Sequence, residues 1–225
     1  MPPSTASRAT NRRPIYRTLE SLFRRLGPIP PNRVRLSPPP GMAEEHHVLE
    51  IENREDRLCE LVDGVLIEKD MASFESHLAM LIGYFLNSFL EKHDLGIILG
   101  ESGMLRLALG LVRIPDVSFI SWEQLPGRIF PDDAIANMYP DLAVEVISAG
   151  NSPGEMRRKL RDYFTAGTRL VWFIYPKTRS AEVYTSPRQR KKLAEADSLD
   201  GGSVLPGFEL SLRTLFARAV KRRSG

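Results

Sequence analysis

Four charged residues interrupt otherwise apolar patterns in this 225-residue sequence: Glu60, Asp116, Glu145 and Lys159. Glu145 stands between Val144 and Val146 in the run Asp141-Leu-Ala-Val-Glu-Val-Ile-Ser148, and Asp116 follows Pro115 at the head of Val-Ser-Phe-Ile120. An ionised carboxylate inside a buried strand is costly unless it is paired or bound to a cation. Two carboxylates on adjacent strand ends can hold a hard cation such as Mg²⁺ through oxygen, with water in the remaining positions. A cation held in this way lowers the pKa of bound water and stabilises charge on a phosphoryl oxygen. A lysine nearby, Lys159, would orient that water or stabilise a pentacovalent phosphate. Structural readings compete for each residue. Glu145 could be the ion-pair partner of Arg169 or Lys159, Asp116 a turn residue, and Lys159 part of a solvated helix face with Arg157, Arg158 and Arg161. Glu60 could be an exposed hairpin residue, and His77 a structural histidine near the start of a helix.

The elements that must position these groups are legible from periodicity. Leu58 to Lys69 reads as two short strands around Asp63-Gly64, a strong hairpin signal. Residues 73–92 carry apolar side chains at spacings of three and four, which predicts an amphipathic helix of about five turns, with Gly96 as its stop. Strands are predicted at 97–99, 104–109, 111–120, 141–148, 169–175, 181–184 and 191–196. The segment 153–166 is predicted as a helix, with Ser152 as N-cap, Pro153 at its first position and Gly167 behind it. A strand over 204–210 and a last helix over 211–222 complete the pattern. Strands and helices mix without strict alternation, which predicts an α/β fold around a mixed sheet flanked by helices. No GxGxxG or GxxxxGK[ST] occurs, so no organic cofactor is expected.

Composition, at 42% hydrophobic and 26% charged, is that of a soluble globular protein. The longest nearly uncharged apolar stretch, residues 78–90, is too short to span a bilayer. One cysteine, Cys59, excludes an intramolecular disulfide and any multi-thiolate zinc site, and the four histidines lack metal-motif spacing. With no basic-then-apolar leader at the start, a reducing cytoplasmic location is expected. Residues 1–45 hold eight arginines against three glutamates and nine of the 17 prolines, which leaves the remainder of the chain slightly acidic. That segment is expected to be a mostly disordered extension, with a short helix around 16–26, preceding a folded domain over 46–225.

The order of these pieces resembles the Uma-two family of endonucleases, within the restriction-endonuclease-like PD-(D/E)XK superfamily. The pieces are Glu60-Leu-Val-Asp-Gly64, a helix with His77, Arg113-Ile-Pro-Asp-Val-Ser-Phe119, Pro140 to Ser148, Lys159-Leu-Arg-Asp-Tyr163 with Gly167, and Val171-Trp-Phe-Ile174. The closing Val204-Leu-Pro-Gly-Phe-Glu-Leu210 fits as well, so the resemblance covers about 46–218. It implies a restriction-endonuclease-like fold, with Asp116 as the PD aspartate and Glu145 as the second carboxylate, together holding Mg²⁺ or Mn²⁺. The superfamily's lysine two positions later is replaced by Ile147. The resemblance implies that Lys159, on the following helix, serves instead, its long side chain spanning from helix to strand end. Glu60 and His77 match further family positions and are implied to assist.

Two functions are then expected to compete, with a metal-dependent hydrolase acting on another phosphate ester as a third. One is a metal-dependent endonuclease acting on nucleic acid, DNA in the first instance, as a homodimer, since one site cuts one strand. Arg113, Arg188, Arg190, Lys191 and Lys192 are candidate phosphate contacts, with Arg12, Arg13, Arg24, Arg25 and the basic tract 218–223 as further supply. The other is a catalytically inactive nucleic-acid- or partner-binding module on the same fold, motivated by the lysine missing after Glu145.

Overall fold

The computed structural model describes residues 16–70 and 72–219. Its centre is a six-stranded mixed sheet. β3 (Gly96–Leu99), β6 (Val117–Ser121) and β7 (Leu142–Val146) run antiparallel in turn, β7 lies parallel to β8 (Leu170–Tyr175), and β9 (Ser180–Tyr184) and β10 (Arg190–Leu193) close the far edge as antiparallel strands. One face packs on α3 (Ser73–Leu90) and α5 (Leu212–Arg218), around Trp172, Phe119, Leu142 and Leu86. The other face packs on α4 (Pro153–Ala166), through Ala143, Val171 and Phe173 against Met156, Leu160 and Tyr163. The mixed α/β architecture expected from periodicity is therefore the one observed.

A second, four-stranded antiparallel sheet stands beside it in the order β2-β1-β5-β4. It is built from β1 (Cys59–Val62), β2 (Val65–Glu68), β4 (Leu105–Ala108) and β5 (Leu111–Arg113). The Asp63-Gly64 turn of its hairpin forms where expected. Gly64 has φ +74°, and a Cβ there would meet the backbone of Gly41 at 2.6 Å, so no other residue fits both conditions. β11 (Ser198–Asp200) and β12 (Glu209–Ser211) form a separate two-stranded ribbon.

The differences from the sequence reading have local causes. The segment 111–120 is not one strand. Ile114-Pro115-Asp116 breaks it, Pro115 having no N–H to give a ladder, and β5 and β6 enter different sheets. Gly96 opens β3 instead of stopping the preceding helix, and a Cβ there would fall 2.0 Å from the Ile120 carbonyl oxygen. The strand expected over 204–210 is mostly a turn between β11 and β12. Residues Glu45–Glu55 form α2, whose weak apolar patterning gave no signal, with only Val48 and Ile51 buried. α5 ends at Arg218, and residues 220–222 of the expected last helix lie outside the described residues.

Residues 16–44 are ordered against the fold, contrary to the disorder expected from their composition. α1 (Leu19–Leu26) is the short helix expected there, opened by a Thr18–Ser21 capping box. Its Leu22 and Leu26, with Ile29 and Val34, cover Val62, Val65 and Ile67 of the β1–β2 hairpin. Gly27, at φ +91°, lets the chain lie against α4, since a Cβ there would meet Glu155 N at 2.6 Å. Arg33 then reaches Glu155 with two guanidinium nitrogens, at 3.0 and 2.8 Å, and donates to the Glu68 and Gly150 carbonyls. A segment rich in proline and arginine folds here because its few apolar residues find a ready-made face and its arginine a buried carboxylate. Arg12 and Arg13 lie outside the described residues.

Candidate active site

Asp116 and Glu145 meet on adjacent antiparallel strands. The β6–β7 register pairs Val117 with Val144, which sets Asp116 opposite Glu145. Asp116 N donates to the Val144 carbonyl at 3.1 Å, and Val146 N donates to Asp116 Oδ2 at 2.6 Å. Asp116 is therefore fixed by the strand carrying the other carboxylate. Its Oδ1 faces Lys69 Nζ, from the chain just beyond β2, at 3.0 Å, and Lys69 also donates to the Glu101 carbonyl at 3.2 Å.

Glu145 points to α4. Lys159 and Tyr163 lie one turn apart on one face of that helix. Lys159 Nζ donates to both oxygens of Glu145, at 3.0 and 2.9 Å, and Tyr163 donates its hydroxyl to Oε1. The same ammonium lies 3.0 Å from Glu60 Oε1, brought in by β1. Glu60 in turn accepts from Arg113 at 2.6 Å and from Ile114 N at 3.2 Å. Arg113 continues to Asp162, Asp162 to Arg158, Arg158 to Asp63, and Asp63 to Arg25 of α1. A line of alternating charge thus runs from the carboxylate pair to the surface. Glu60, Lys159, Glu145 and Asp116 are 1%, 3%, 4% and 5% exposed, so each charge depends on its partners for solvation.

Sharing one ammonium between two glutamates divides their acidities. Burial by itself raises both. For Glu60, Lys159, Arg113 and the Ile114 amide outweigh burial and hold the carboxyl down at about 2. Glu145 has no arginine partner and faces the charges of Asp116 and Glu60. Burial and that repulsion outweigh Lys159 and push it up to about 7. Lys159 is held cationic, the two glutamates overcoming the burial that would neutralise it. Burial beside Glu145 and Glu60 also raises the Tyr163 hydroxyl well above its usual range, so it stays a donor.

The donor set suits a hard divalent cation. Asp116 and Glu145 offer two carboxylates on neighbouring strands, and burial, with the charges of Asp116 and Glu60, raises the pKa of Glu145 by more than Lys159 offsets. Among the described residues no group of three His, Cys, Asp or Glu is arranged to hold a metal. A cation here would draw its other oxygens from water and phosphate, the habit of Mg²⁺.

The sequence-predicted residues divide accordingly. Glu60, Asp116, Glu145 and Lys159 come together. The readings of Lys159 as a solvated helix residue and of Glu60 as an exposed hairpin residue are corrected by their burial, and Glu145 pairs with Lys159, while Arg169 pairs with Asp141. His77 stays apart. It makes no hydrogen bond or ion pair to these four among the described residues, and its buried Nε2 has no partner. Arg113, expected to face phosphate, is 2% exposed and spends its guanidinium on Glu60 and Asp162. Arg188 is exposed, Arg190 pairs with Glu182, and Lys191 and Lys192 lie exposed on the edge strand β10. Lys69 and the structural roles of Tyr163, Arg113 and Asp162 were missed. For Tyr163 and Asp162 a signal existed, since they follow Lys159 at spacings of four and three. For Lys69 none did.

No curated protein matches the chain. The chain resembles a solved structure from Anabaena variabilis titled as a putative nuclease belonging to DUF820. The two are 20% identical at a TM-score of 0.65, over 73% of this chain and 93% of that one. The fold is accordingly of the restriction-endonuclease-like type. A family model described as "Uma2: Putative restriction endonuclease" matches residues 43–213, some three quarters of the sequence that carries every group of the carboxylate–lysine cluster. The chain belongs to the Uma2 family.

Proposed function

We propose that the protein is a metal-dependent endonuclease that hydrolyses phosphodiester bonds in nucleic acid. The observation that carries this reading is the facing pair Asp116 and Glu145, with Lys159 bonded to the second carboxylate. Asp116 and Glu145 would hold Mg²⁺ or Mn²⁺, which when bound supplies a Lewis acid for the phosphoryl oxygen and acidifies water. Asp116 is oriented by the Val146 amide and Glu145 by Tyr163, so both carboxylates present fixed oxygens before any substrate arrives. Lys159, kept cationic by Glu145 and Glu60, offsets charge building on the phosphate. Glu60 holds Lys159 in place through its own anchorage on Arg113.

The substrate we propose is DNA, cut on both strands by a homodimer that sets one site against each strand, in a reducing cytoplasm where the buried thiol of Cys59 stays free. No helix among the described residues is long and apolar enough to cross a membrane. Calorimetric titration of Mg²⁺ and Mn²⁺ into wild type and Glu145→Gln, followed by plasmid nicking, tests the reading. Binding and nicking are expected to be lost together. Nicking by Glu145→Gln at the wild-type rate would remove it.

One observation favours the competing reading, an inactive nucleic-acid- or partner-binding module. Every oxygen of Glu145 and Asp116 already has a protein partner, as in a structural ion-pair network. That reading requires that wild type bind neither metal.

A further inference from the structure

Beside α4 the sheet face that carries Glu145 continues into a cavity of about 540 Å³. The strand registers align Glu145 with Phe173 and Phe173 with Glu182, so Glu182 lies on the same face two strands away, about 10 Å at the usual strand spacing. Ile147, two residues beyond Glu145, lines the near wall, and Met156 and Leu160, flanking Lys159 on α4, line the roof. The cavity therefore lies along the sheet beyond Glu145, on the β8–β9 side, and neither carboxylate of the proposed pair lines it.

Its chemistry is of two kinds. Tyr175 and Tyr184 give it aromatic walls, and both donate their hydroxyls to Glu182 Oε2, at 3.0 and 2.6 Å. Tyr184 is further held against Phe173, ring centroids 5.2 Å apart. The rings are thus locked before anything binds. At the mouth stand Arg157 and Arg188, both exposed. Most arginines of the described residues have carboxylate partners, but neither of these guanidinium groups has an ion-pair partner among the described residues. Aromatic walls with free guanidinium groups at the rim suit a planar base carrying a phosphate. A phosphodiester chain crossing from Glu145 would bring that pair of groups here.

We infer that this cavity is a nucleotide subsite, taking one unstacked base against Tyr175 and Tyr184 with the adjoining phosphate on Arg157 and Arg188. The inference rests on the nuclease reading and sharpens it. It replaces the intact duplex of that reading with a single strand, or a duplex with a nucleotide unpaired beside the cut, because a base stacked within a duplex cannot enter a walled cavity.

Fluorescence anisotropy with the full chain in metal-free buffer tests it, using a short labelled single strand, its blunt duplex, and the same duplex carrying a one-nucleotide bulge. The single strand and the bulged duplex are expected to bind more tightly than the blunt duplex. Arg157→Ala combined with Arg188→Ala should flatten the dependence of log K on log salt by about 1.4, the share of two single-strand phosphate contacts. Tyr175→Leu should weaken single-strand binding about fivefold or more, the loss of one stacked base. The two arginines are exposed and unpaired, so their variant should melt as wild type does, which keeps the test informative if Tyr175→Leu folds poorly. An arginine variant with unchanged affinity and salt slope, or equal binding of blunt and bulged duplexes, would overturn the subsite. Cutting of the single strand and the bulged duplex in Mg²⁺ and in Mn²⁺ separates the two readings. Pocket-dependent binding without cutting in either metal keeps the subsite and removes the nuclease, whereas normal cutting with indifferent pocket variants removes only the subsite.

Discussion

Lys69 Nζ lies 3.0 Å from Asp116 Oδ1, with both side chains less than a tenth exposed. An ammonium thus neutralises the first carboxylate of the proposed metal pair from the loop after β2, while Lys159 serves the second from α4. Each carboxylate therefore has its own lysine, delivered by a different layer of the fold.

In Lys69→Met the buried Asp116 carboxylate loses its ammonium partner. Removing one partner of a buried pair leaves the other uncompensated, at a usual cost of about 3–5 kcal/mol. The variant should melt at lower temperature than wild type without metal. Asp116 Oδ1 would then be free, so Mg²⁺ should bind more tightly and restore much of the lost stability by mass action. Thermal melts over a Mg²⁺ series check both outcomes. A metal-induced rise in melting temperature no larger than that of wild type would show that Asp116 is not a ligand.

Lys159 is shared by two glutamates, so its loss should cost more than that of a surface lysine. Lys159→Met is expected to destabilise by about 3–5 kcal/mol, read as a lower urea midpoint, and to abolish nicking. Lys159→Arg keeps the charge, but a planar fork does not reproduce one ammonium between Glu60 and Glu145. It should regain stability in part and little activity.

The two glutamates predict opposite pH dependences. Glu60 is held down at about 2 in the folded chain against 4.5 ordinarily. Its contribution to stability is present in full above pH 4.5 and is lost as pH falls through 2. Glu145 is raised to about 7, so the folded state favours its protonated form, and that contribution is lost as pH rises from 4.5 through 7. Chemical denaturation from pH 2 to 8 should show the acid limb flattened in Glu60→Gln and the neutral limb flattened in Glu145→Gln. Metal binding must displace the Glu145 proton, so calorimetry below pH 7 should show proton release that vanishes above it.

Residues 16–44 should be indispensable to stability. Deleting 1–44 uncovers Val62, Val65 and Ile67 and strips Glu155 of Arg33. The buried side chains of Leu22, Leu26, Ile29 and Val34 are lost with the segment, each worth about 1.5–3 kcal/mol when fully buried. The truncated chain should bind a hydrophobic dye and melt well below the full chain. Arg33→Ala alone should reproduce part of the loss, since it leaves Glu155 buried without its cation.

Much of the architecture was written in short stretches of sequence. α4 follows from Ser152, Pro153 and Gly167, the β1–β2 hairpin from Asp63-Gly64, and β7 and β8 from their apolar runs. These signals depend on backbone sterics, capping and periodicity within a few residues, so neighbours in sequence suffice to specify them. The spacing of Lys159 and Tyr163 is local in the same way.

The tertiary structure decided which charges are buried and with whom. Nothing in Glu60-Leu-Val-Asp-Gly64 tells whether Glu60 faces water or Lys159 of a helix far along the chain. Arg113 turns inward because β5 leaves for the second sheet, and Lys69 reaches Asp116 because the β1–β2 hairpin lies beside the strand break at Pro115. A long charged side chain is equally at home solvated or paired in the interior, and composition does not distinguish the two. The choice falls only when separate elements close over one another and withdraw water, which is also why the proline-rich segment 16–44 condensed onto the hairpin.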